Sequence, residues 1–578
     1  MMATEAEEIS QTSPYPMSDN NVSTLSIKIT RKNQDRPWKL RFIYLQCYFL
    51  SIATILGTGI LGLPVTIAHA GLLPFLVSFL IGFLVQALLI YLFVDLLQRC
   101  QLVQMENFKV CESGRTEMED VVLEEAAVPS PEEEEEEGED SEEADTGLLQ
   151  RDSPPLTGEE MLQPNLHVLG VLFLSRPMSH AFNFILLFQF VSIGISYVLA
   201  GSEAYASLLQ VSHIYVIPAF TWTLSLGILL AQAIIQPITS LLTFLKGLML
   251  IVTVAVTFAV GSEVHLKSTN DFRQIGKPFL MGTVALGGIV NVMPLLFSQI
   301  SHNRTQIMWF RRAVLGGLAT CTLLNVLWCW AVLEIVPQTS VRRSSVIETI
   351  TNMSAVLSGR DPGQSALLFS NISLEESEKA GEIATIPLTK IIILKYTDYA
   401  WVAELIQVFV AVSVTVSFLV MGSAMKHTID GLVTSLWSSR LEWMTRALER
   451  RLPQTLHSCS ATSLTSGFVS LLAFGLIFLV AAGDPRGFVE ILDKVVSFSL
   501  NTEVGLFVFI MLRVSRLERF QQLSVPLPVS RRMFGLSWVL PCYFLFAVTY
   551  DVLLSLEELA QNLAPPGQPA SHPNASLH

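Results

Sequence analysis

Eleven long apolar runs constrain the fold of this chain more than any other feature. Each run is long enough for a helix to cross about 30 Å of hydrocarbon, and only 15% of the 578 residues are charged. Backbone polar groups inside a bilayer must be satisfied within the segment, so runs of this length predict helices. We therefore predict an all-α polytopic membrane protein with spans near residues 42–70, 73–97, 180–208, 214–234, 237–260, 278–300, 313–336, 399–422, 464–482, 489–512 and 533–553.

The first and sixth spans carry residues that disfavour a continuous helix. Residues 57–64 read Gly-Thr-Gly-Ile-Leu-Gly-Leu-Pro, and residues 282–294 repeat that content with three glycines, an asparagine and a proline. Glycine costs about 1 kcal/mol relative to alanine in a helix interior, and proline removes a donor. Freed backbone groups are tolerated in a membrane only beside protein or a watery cavity. We therefore predict unwinding at 57–62 and 286–292, around a binding site.

The spacing of the two interrupted spans suggests an internal repeat. They begin units of five spans each, and five crossings place the second unit antiparallel to the first, as in inverted-repeat transporters. Two alternatives remain open at this point: a glycine-rich helix-packing face in span one, and two unrelated proline-kinked helices. The string at 57–62 also matches G-x-G-x-x-G, but that motif indicates a dinucleotide site only in a soluble βαβ unit.

Charge predicts the orientation in the membrane. A basic cluster precedes span one, and arginines and lysines recur in 301–312, 423–463 and 513–532, which places these segments and the N-terminus in the cytosol. The sequons at Asn352, Asn371 and Asn574 then fall outside, where N-glycans can be added.

The segment between spans two and three is strongly acidic. Residues 105–161 contain about 21 acidic and 3 basic residues, so we predict that it is disordered, because it cannot bury enough apolar surface to fold. Asp145, Leu148 and Leu149 within it resemble an acidic dileucine signal read by endosomal sorting adaptors, with chance as the alternative. These features favour an endosomal or lysosomal membrane, with the plasma membrane as the alternative.

The predicted organisation follows from these segments. It comprises a disordered leader 1–41, spans one and two in 42–98, an acidic insert 99–179, spans three to five in 180–260, spans six and seven in 278–336, an outer loop 337–398, spans eight to ten in 399–512 with a cytosolic loop 423–463, span eleven in 533–553 and an outer tail 554–578.

Several stretches resemble a known family. Residues 57–64, followed by His-Ala-Gly at 69–71, resemble the first helix of the amino acid/auxin permease family, and are most similar to its proton-coupled branch. Residues 194–201 are similar to the third helix of that family, and residues 411–417 to the eighth helix of its sodium-coupled members. The resemblance implies a LeuT-type 5+5 inverted repeat with one additional C-terminal transmembrane helix, and transport of amino acids or related small solutes.

Two departures from the sodium-coupled members speak against sodium coupling. Ala53 stands where those members have an asparagine, and the cysteines expected in the outer loop are absent from the sequence.

The predicted substrate site lies at the two interrupted segments. Backbone N–H groups at the positive end of a half-helix suit a carboxylate, and the lack of charged residues in both segments favours a neutral substrate. By resemblance, Tyr197 would donate to the carboxylate, a packing role being the alternative. The predicted site comprises Gly57, Thr58, Gly59, Ile60, Leu61, Tyr197, Gly287, Gly288 and Asn291.

Two ionisable residues lie near the middle of spans. An ammonium at Lys246 is costly there unless it is paired or deprotonated, and the resemblance implies a fifth-helix lysine in place of sodium, with Ser413 and Thr415 as neighbours. Glu503 in span ten is a candidate proton carrier or part of an outer gate. The alternatives are a snorkelling lysine and a carboxylate that pairs with another buried polar group.

We predict a secondary transporter of small neutral amino acids, proton-coupled and working by alternating access. The alternatives are an amino-acid sensor or adaptor that signals through the acidic insert, and a sodium-coupled transporter. The predicted partners are the substrate, protons or sodium, membrane lipid and sorting adaptors. The sequence indicates no enzyme, cofactor, metal site or nucleic-acid partner.

Overall fold

In the computed structural model, the described residues include eleven helices long and apolar enough to cross a membrane, which confirms the predicted all-α polytopic architecture. The structure describes residues 37–125, 164–230, 232–264, 268–339, 372–449, 461–483, 491–520 and 523–563. Spans 1 to 5 are the helices Pro37–Thr66, Leu72–Glu125, Arg176–Leu209, His213–Leu230 and Gln232–Val264. Spans 6 to 9 are Gly276–Gly287 with Ile289–Phe297, Arg304–Ile335, Ala400–Glu449 and Ala461–Gly483.

The last two spans are less regular than the others. Span 10 alternates between helix types, being π-helical over Ile491–Val496, α-helical over Ser497–Thr502, π-helical over Glu503–Val508 and α-helical over Phe509–Val514. Span 11 consists of Arg531–Gly535, a 3₁₀ turn at Leu536–Trp538, and Val539–Leu563. Because π turns inside α-helices occur frequently at functional sites, span 10 draws attention to the residues around Glu503.

Two helices continue beyond the predicted membrane boundary. The helix of span 2 runs to Glu125 and that of span 8 to Glu449, so the loop predicted from 423 is helical to 449. The prediction of disorder over 99–179 is wrong for 99–125, for 166–173 and from 176, where the structure is helical. Neither extension contains a proline, so no strong breaker ends the helix at the membrane surface. Further short helices lie at Leu166–Phe173, Leu374–Ala380 and Thr385–Lys395.

The packing of the first five spans recurs in the next five. Span 1 packs on span 7 as span 6 packs on span 2, and span 3 packs on span 4 as span 8 packs on span 9. Span 8 lies against span 5 as span 3 lies against span 10, and span 1 lies against span 5 as span 6 lies against span 10. Span 11 stands outside this pattern, against spans 10, 6 and 2. A shift of five spans therefore reproduces the main helix pairs, as a 5+5 repeat requires.

Candidate substrate and proton site

The glycine run of span 1 remains helical. The helix Pro37–Thr66 continues through residues 57–62 and includes Pro64, so the prediction that this segment is unwound is wrong for this structure. Segment 286–292 in span 6 is also mostly helical: its only interruption lies at Gly288, between the helix that ends at Gly287 and the one that begins at Ile289. Tertiary packing, rather than intrinsic propensity, decides the conformation at both places.

Two carbonyl groups near Pro64 accept hydrogen bonds from donors outside the helix. Pro64 has no N–H for the carbonyl of Ile60, four residues earlier, and the indole Nε1 of Trp328 in span 7 donates to that oxygen at 2.8 Å. The next carbonyl, of Leu61, accepts from the backbone N–H of Ala384 in the outer loop at 3.1 Å. The predicted freeing of backbone groups thus occurs at Ile60, but a side chain satisfies the carbonyl in this conformation.

The missing Cβ atoms of the run allow other spans to come very close. A Cβ at Gly57 would lie 2.5 Å from the hydroxyl oxygens of both Tyr197 in span 3 and Ser417 in span 8. A Cβ at Gly59 would lie 2.9 Å from Oδ1 of Asn325 in span 7. The glycines therefore form a seam on which polar side chains of three other spans converge.

Lys246 joins three spans next to this seam. Its side chain is fully buried, and its Nζ donates to the carbonyl of Ala53 at 2.8 Å, to the carbonyl of Ser413 at 3.2 Å and to Oγ of Ser417 at 2.8 Å. An ammonium has three donors and no acceptor, so these contacts use all of them. Lys246 therefore does not snorkel towards the membrane surface; it holds span 1 to span 8.

Among the hydrogen bonds of the described residues, none joins Thr415 to Lys246, in contrast to its predicted role as a partner of the lysine. Its Oγ1 donates to the carbonyl of Ala411 at 2.8 Å and lies 3.0 Å from the hydroxyl of Tyr205. Residues four apart share a helix face, whereas residues two apart do not. Ser417, which the sequence alone does not single out, therefore faces the lysine together with Ser413.

Two buried asparagines border span 1 without hydrogen-bond partners among the described residues. Both amide atoms of Asn291 in span 6, and both of Asn325 in span 7, are buried and unpaired. Asn325 contacts the position of Gly59, and the half of span 6 that carries Asn291 packs on span 1. Because buried amides are normally hydrogen-bonded, these two side chains can bind a polar guest.

Glu503 lies in a second polar cluster, between spans 3, 6 and 10. It is 1% exposed, and neither carboxyl oxygen has a hydrogen-bond partner among the described residues. Gln189 of span 3 is placed to donate to it, although no hydrogen bond of good geometry joins the two side chains. Two residues earlier, Nδ2 of Asn501 donates to Oγ1 of Thr283 in span 6 at 2.9 Å. In the repeat, span 10 corresponds to span 5, so Glu503 and the buried Lys246 lie on corresponding spans of the two halves.

The predicted outer ends of the spans are tied together. Glu378 in the outer helix Leu374–Ala380 lies 2.6 Å from Nζ of Lys277 at the start of span 6, and 3.7 Å from Nε2 of His69 after span 1. Gln338 donates to the carbonyl of Ala68 at 3.2 Å.

The predicted inner ends have their own network. Asp95 of span 2 lies 3.1 Å from Nε of Arg99 and 2.9 Å from a terminal nitrogen of Arg516, which follows span 10. His302, between spans 6 and 7, lies 3.0 Å from the side-chain oxygen of Gln101, and burial holds the pKa of its imidazole below the usual range. The segments predicted to be cytosolic therefore meet at one end of the bundle.

Some predicted sites lie outside the described residues. They are the sequons at Asn352, Asn371 and Asn574, and the dileucine signal at Asp145, Leu148 and Leu149. The side chain of Thr58 also lies outside the described part.

The fold and the buried polar groups together define a multi-pass integral membrane protein of the all-α class. No protein-family model and no curated protein matches the chain. Among solved structures, the chain is similar to a manganese transporter of Eremococcus coleocola in complex with an aromatic bis-isothiourea substituted compound, with a TM-score of 0.49, 10% identity and coverage of 92% of this chain and 90% of that chain. A mutant of the same transporter gives a TM-score of 0.47 at 10% identity, with coverage of 90% and 89%. Neither likeness indicates what this chain binds.

Proposed function

We propose that the protein is a secondary transporter of small neutral amino acids, coupled to protons and working by alternating access. The observation that carries the proposal is the buried Lys246, which holds the glycine-rich span 1 to span 8 through hydrogen bonds alone. Ionisable groups at this depth are costly and in membrane proteins mark ion or proton pathways.

The proton state of Lys246 would control the contact between spans 1 and 8. An ammonium donates three hydrogen bonds, whereas a neutral amine donates two. Loss of the proton therefore removes at least one link among the carbonyls of Ala53 and Ser413 and the hydroxyl of Ser417. The contact between spans 1 and 8 would then be weaker, which favours the relative movement of the two spans that alternating access needs. Glu503, in the corresponding span of the second half, is the second candidate proton carrier.

The substrate would bind along the glycine seam. A zwitterion needs donors for its carboxylate and acceptors for its ammonium, and an asparagine side chain offers both. The unpaired amides of Asn291 and Asn325 meet that need, with the hydroxyl of Tyr197 beside Gly57. Local opening of span 1 would add the N–H groups of residues 57–61, and opening at Gly287 and Gly288 would add carbonyl groups.

Two features favour a neutral amino acid and protons over other cargo. Residues 57–62 and 286–292 carry no charged side chain to pair with a charged substrate side chain. The Lys246 ammonium lies at the carbonyls of Ala53 and Ser413, and the family resemblance implies that a lysine here takes the place of a sodium ion.

A sensor or adaptor is the second candidate, because the helix of span 2 leads directly into the acidic insert. Deletion of residues 105–161 separates the two proposals. A carrier keeps its flux after the deletion, whereas a sensor loses its partners.

The direct test is uptake into proteoliposomes that contain the full chain. A panel of labelled neutral, acidic and basic amino acids is offered with and without a pH gradient. We expect flux of one or more small neutral amino acids that depends on the gradient. No flux for any member of the panel would refute the transporter proposal.

A further inference from the structure

A pocket of about 320 Å³ lies away from the candidate transport site, at the predicted cytosolic ends of spans 10 and 11. It is lined by Arg513, Val514, Arg516, Leu517 and Phe534. None of these residues contacts the glycine seam, Lys246 or Glu503 in any interaction described above. The pocket therefore needs an explanation of its own.

Two arginines give the pocket a positive lining that is only partly neutralised. One terminal nitrogen of Arg516 binds Asp95, but its Nε is buried without a partner among the described residues. Arg513 stacks on aromatic rings, with its guanidinium carbon 5.3 Å from the ring centre of Trp538 and 5.9 Å from that of Phe534. Residues 513–538 contain five arginines and one glutamate. The pocket thus has guanidinium groups held in place by aromatic packing.

The rim of the pocket is apolar and faces outward. Leu517, which lines the pocket, is 57% exposed, and Trp538, on which Arg513 stacks, is 55% exposed. Tryptophan and arginine are characteristic of the membrane–water interface, and an exposed leucine beside them suits contact with acyl chains. A freely soluble anion would account for the arginines but not for this apolar rim.

We propose that this pocket binds the phosphate-bearing headgroup of an anionic membrane lipid. A guanidinium fork matches phosphate oxygens in a bidentate manner, and basic pockets beside transmembrane helices on the cytosolic side suit such headgroups. Arg516 is also joined through Asp95 to Arg99 of span 2. A bound headgroup therefore adjoins the network that ties the inner ends of spans 2 and 10.

The test measures lipid binding to the purified full chain in a neutral detergent. The probes are a short-chain phosphatidylinositol bisphosphate, a short-chain phosphatidylcholine and soluble inositol trisphosphate. Arg513→Gln removes a lining charge that makes no ion pair with the described residues, and Arg513→Lys keeps the charge without the planar fork. The matched control is Arg312→Gln, because Arg312 stacks on Trp309 at 5.1 Å on the same face but outside the pocket.

We expect the chain to prefer the anionic lipid over phosphatidylcholine and over the soluble trisphosphate. Arg513→Gln should weaken that binding by about fivefold, as expected for one basic residue near an anionic headgroup. The affinity of Arg513→Lys for the anionic lipid should lie between those of Arg513→Gln and the wild type. Arg312→Gln should bind like the wild type. The proposal fails if Arg513→Gln and Arg312→Gln behave alike, or if the trisphosphate binds as tightly as the lipid. These outcomes are independent of whether the chain transports amino acids.

Discussion

Replacing Lys246 by methionine tests the link between spans 1 and 8. The change removes three hydrogen bonds from a charged donor, each contributing about 1.5–3 kcal/mol. It also removes an unfavourable term, because placing an ammonium in the middle of a span costs about 2.5–3.5 kcal/mol. The difference is a net loss of roughly 1–6 kcal/mol. Methionine has a similar length and no charge, so the core around it should remain packed.

Lys246→Met should also change the pH dependence of transport. We expect uptake into proteoliposomes to become independent of the pH gradient, because the residue that binds the proton is gone. Lys246→Arg keeps a charge that cannot be released, so it should hold span 1 against span 8 and abolish exchange. Lys390→Met, at a lysine whose side chain is 54% exposed in the outer loop, is the matched control and should transport like the wild type.

The reasoning is refuted if Lys246→Met folds and retains the pH dependence of the wild type. Thermal melting in detergent shows whether the variant folds, and the same preparations serve for uptake. A variant that melts within error of the wild type would contradict the calculated loss of stability.

Three further changes test other parts of the site. Gly57→Ala places a Cβ 2.5 Å from two hydroxyl oxygens and should cost about 1–3 kcal/mol by overpacking; an unchanged melting temperature would contradict the described seam. Trp328→Phe leaves the carbonyl of Ile60 without its indole donor and should lower the free energy of unfolding by about 1–3 kcal/mol. Thermal melting measures this loss, and Trp330→Phe is the control, because the indole of Trp330 donates to a side chain instead. Burial lowers the pKa of His302, so its contribution is fully present above about pH 6.5 and is lost as the pH falls below that value. His302→Gln should therefore flatten the acid side of the stability profile, and a profile that stays as steep would refute this assignment.

Sequence patterns predicted the parts of the fold that depend on local composition. The eleven spans follow from the length of the apolar runs, and the importance of Lys246 follows from a charge in the middle of such a run. The face shared by Ser413 and Ser417 could have been read from helical periodicity, since residues four apart point the same way and Thr415 does not.

Other features depend on contacts between distant residues. Residues 57–64 have the composition of an unwound segment, yet span 1 stays helical there, because Trp328 donates to the carbonyl of Ile60 from far along the chain. The neighbourhood of Gln189 and Glu503 likewise joins spans that are separated by some 300 residues. No local pattern specifies which partner satisfies a freed carbonyl, so the conformation of the glycine run could not be predicted from its own residues.

The most direct measurement of the central claim is proton movement driven by substrate. Proteoliposomes that contain the full chain and a trapped pH-sensitive dye are exposed to small neutral amino acids without an imposed pH gradient. We predict that the lumen acidifies as substrate enters, and that Lys246→Met shows no such signal. Amino-acid uptake without any change in lumenal pH would contradict coupling to protons, and the absence of both uptake and a pH change would contradict the transporter assignment itself.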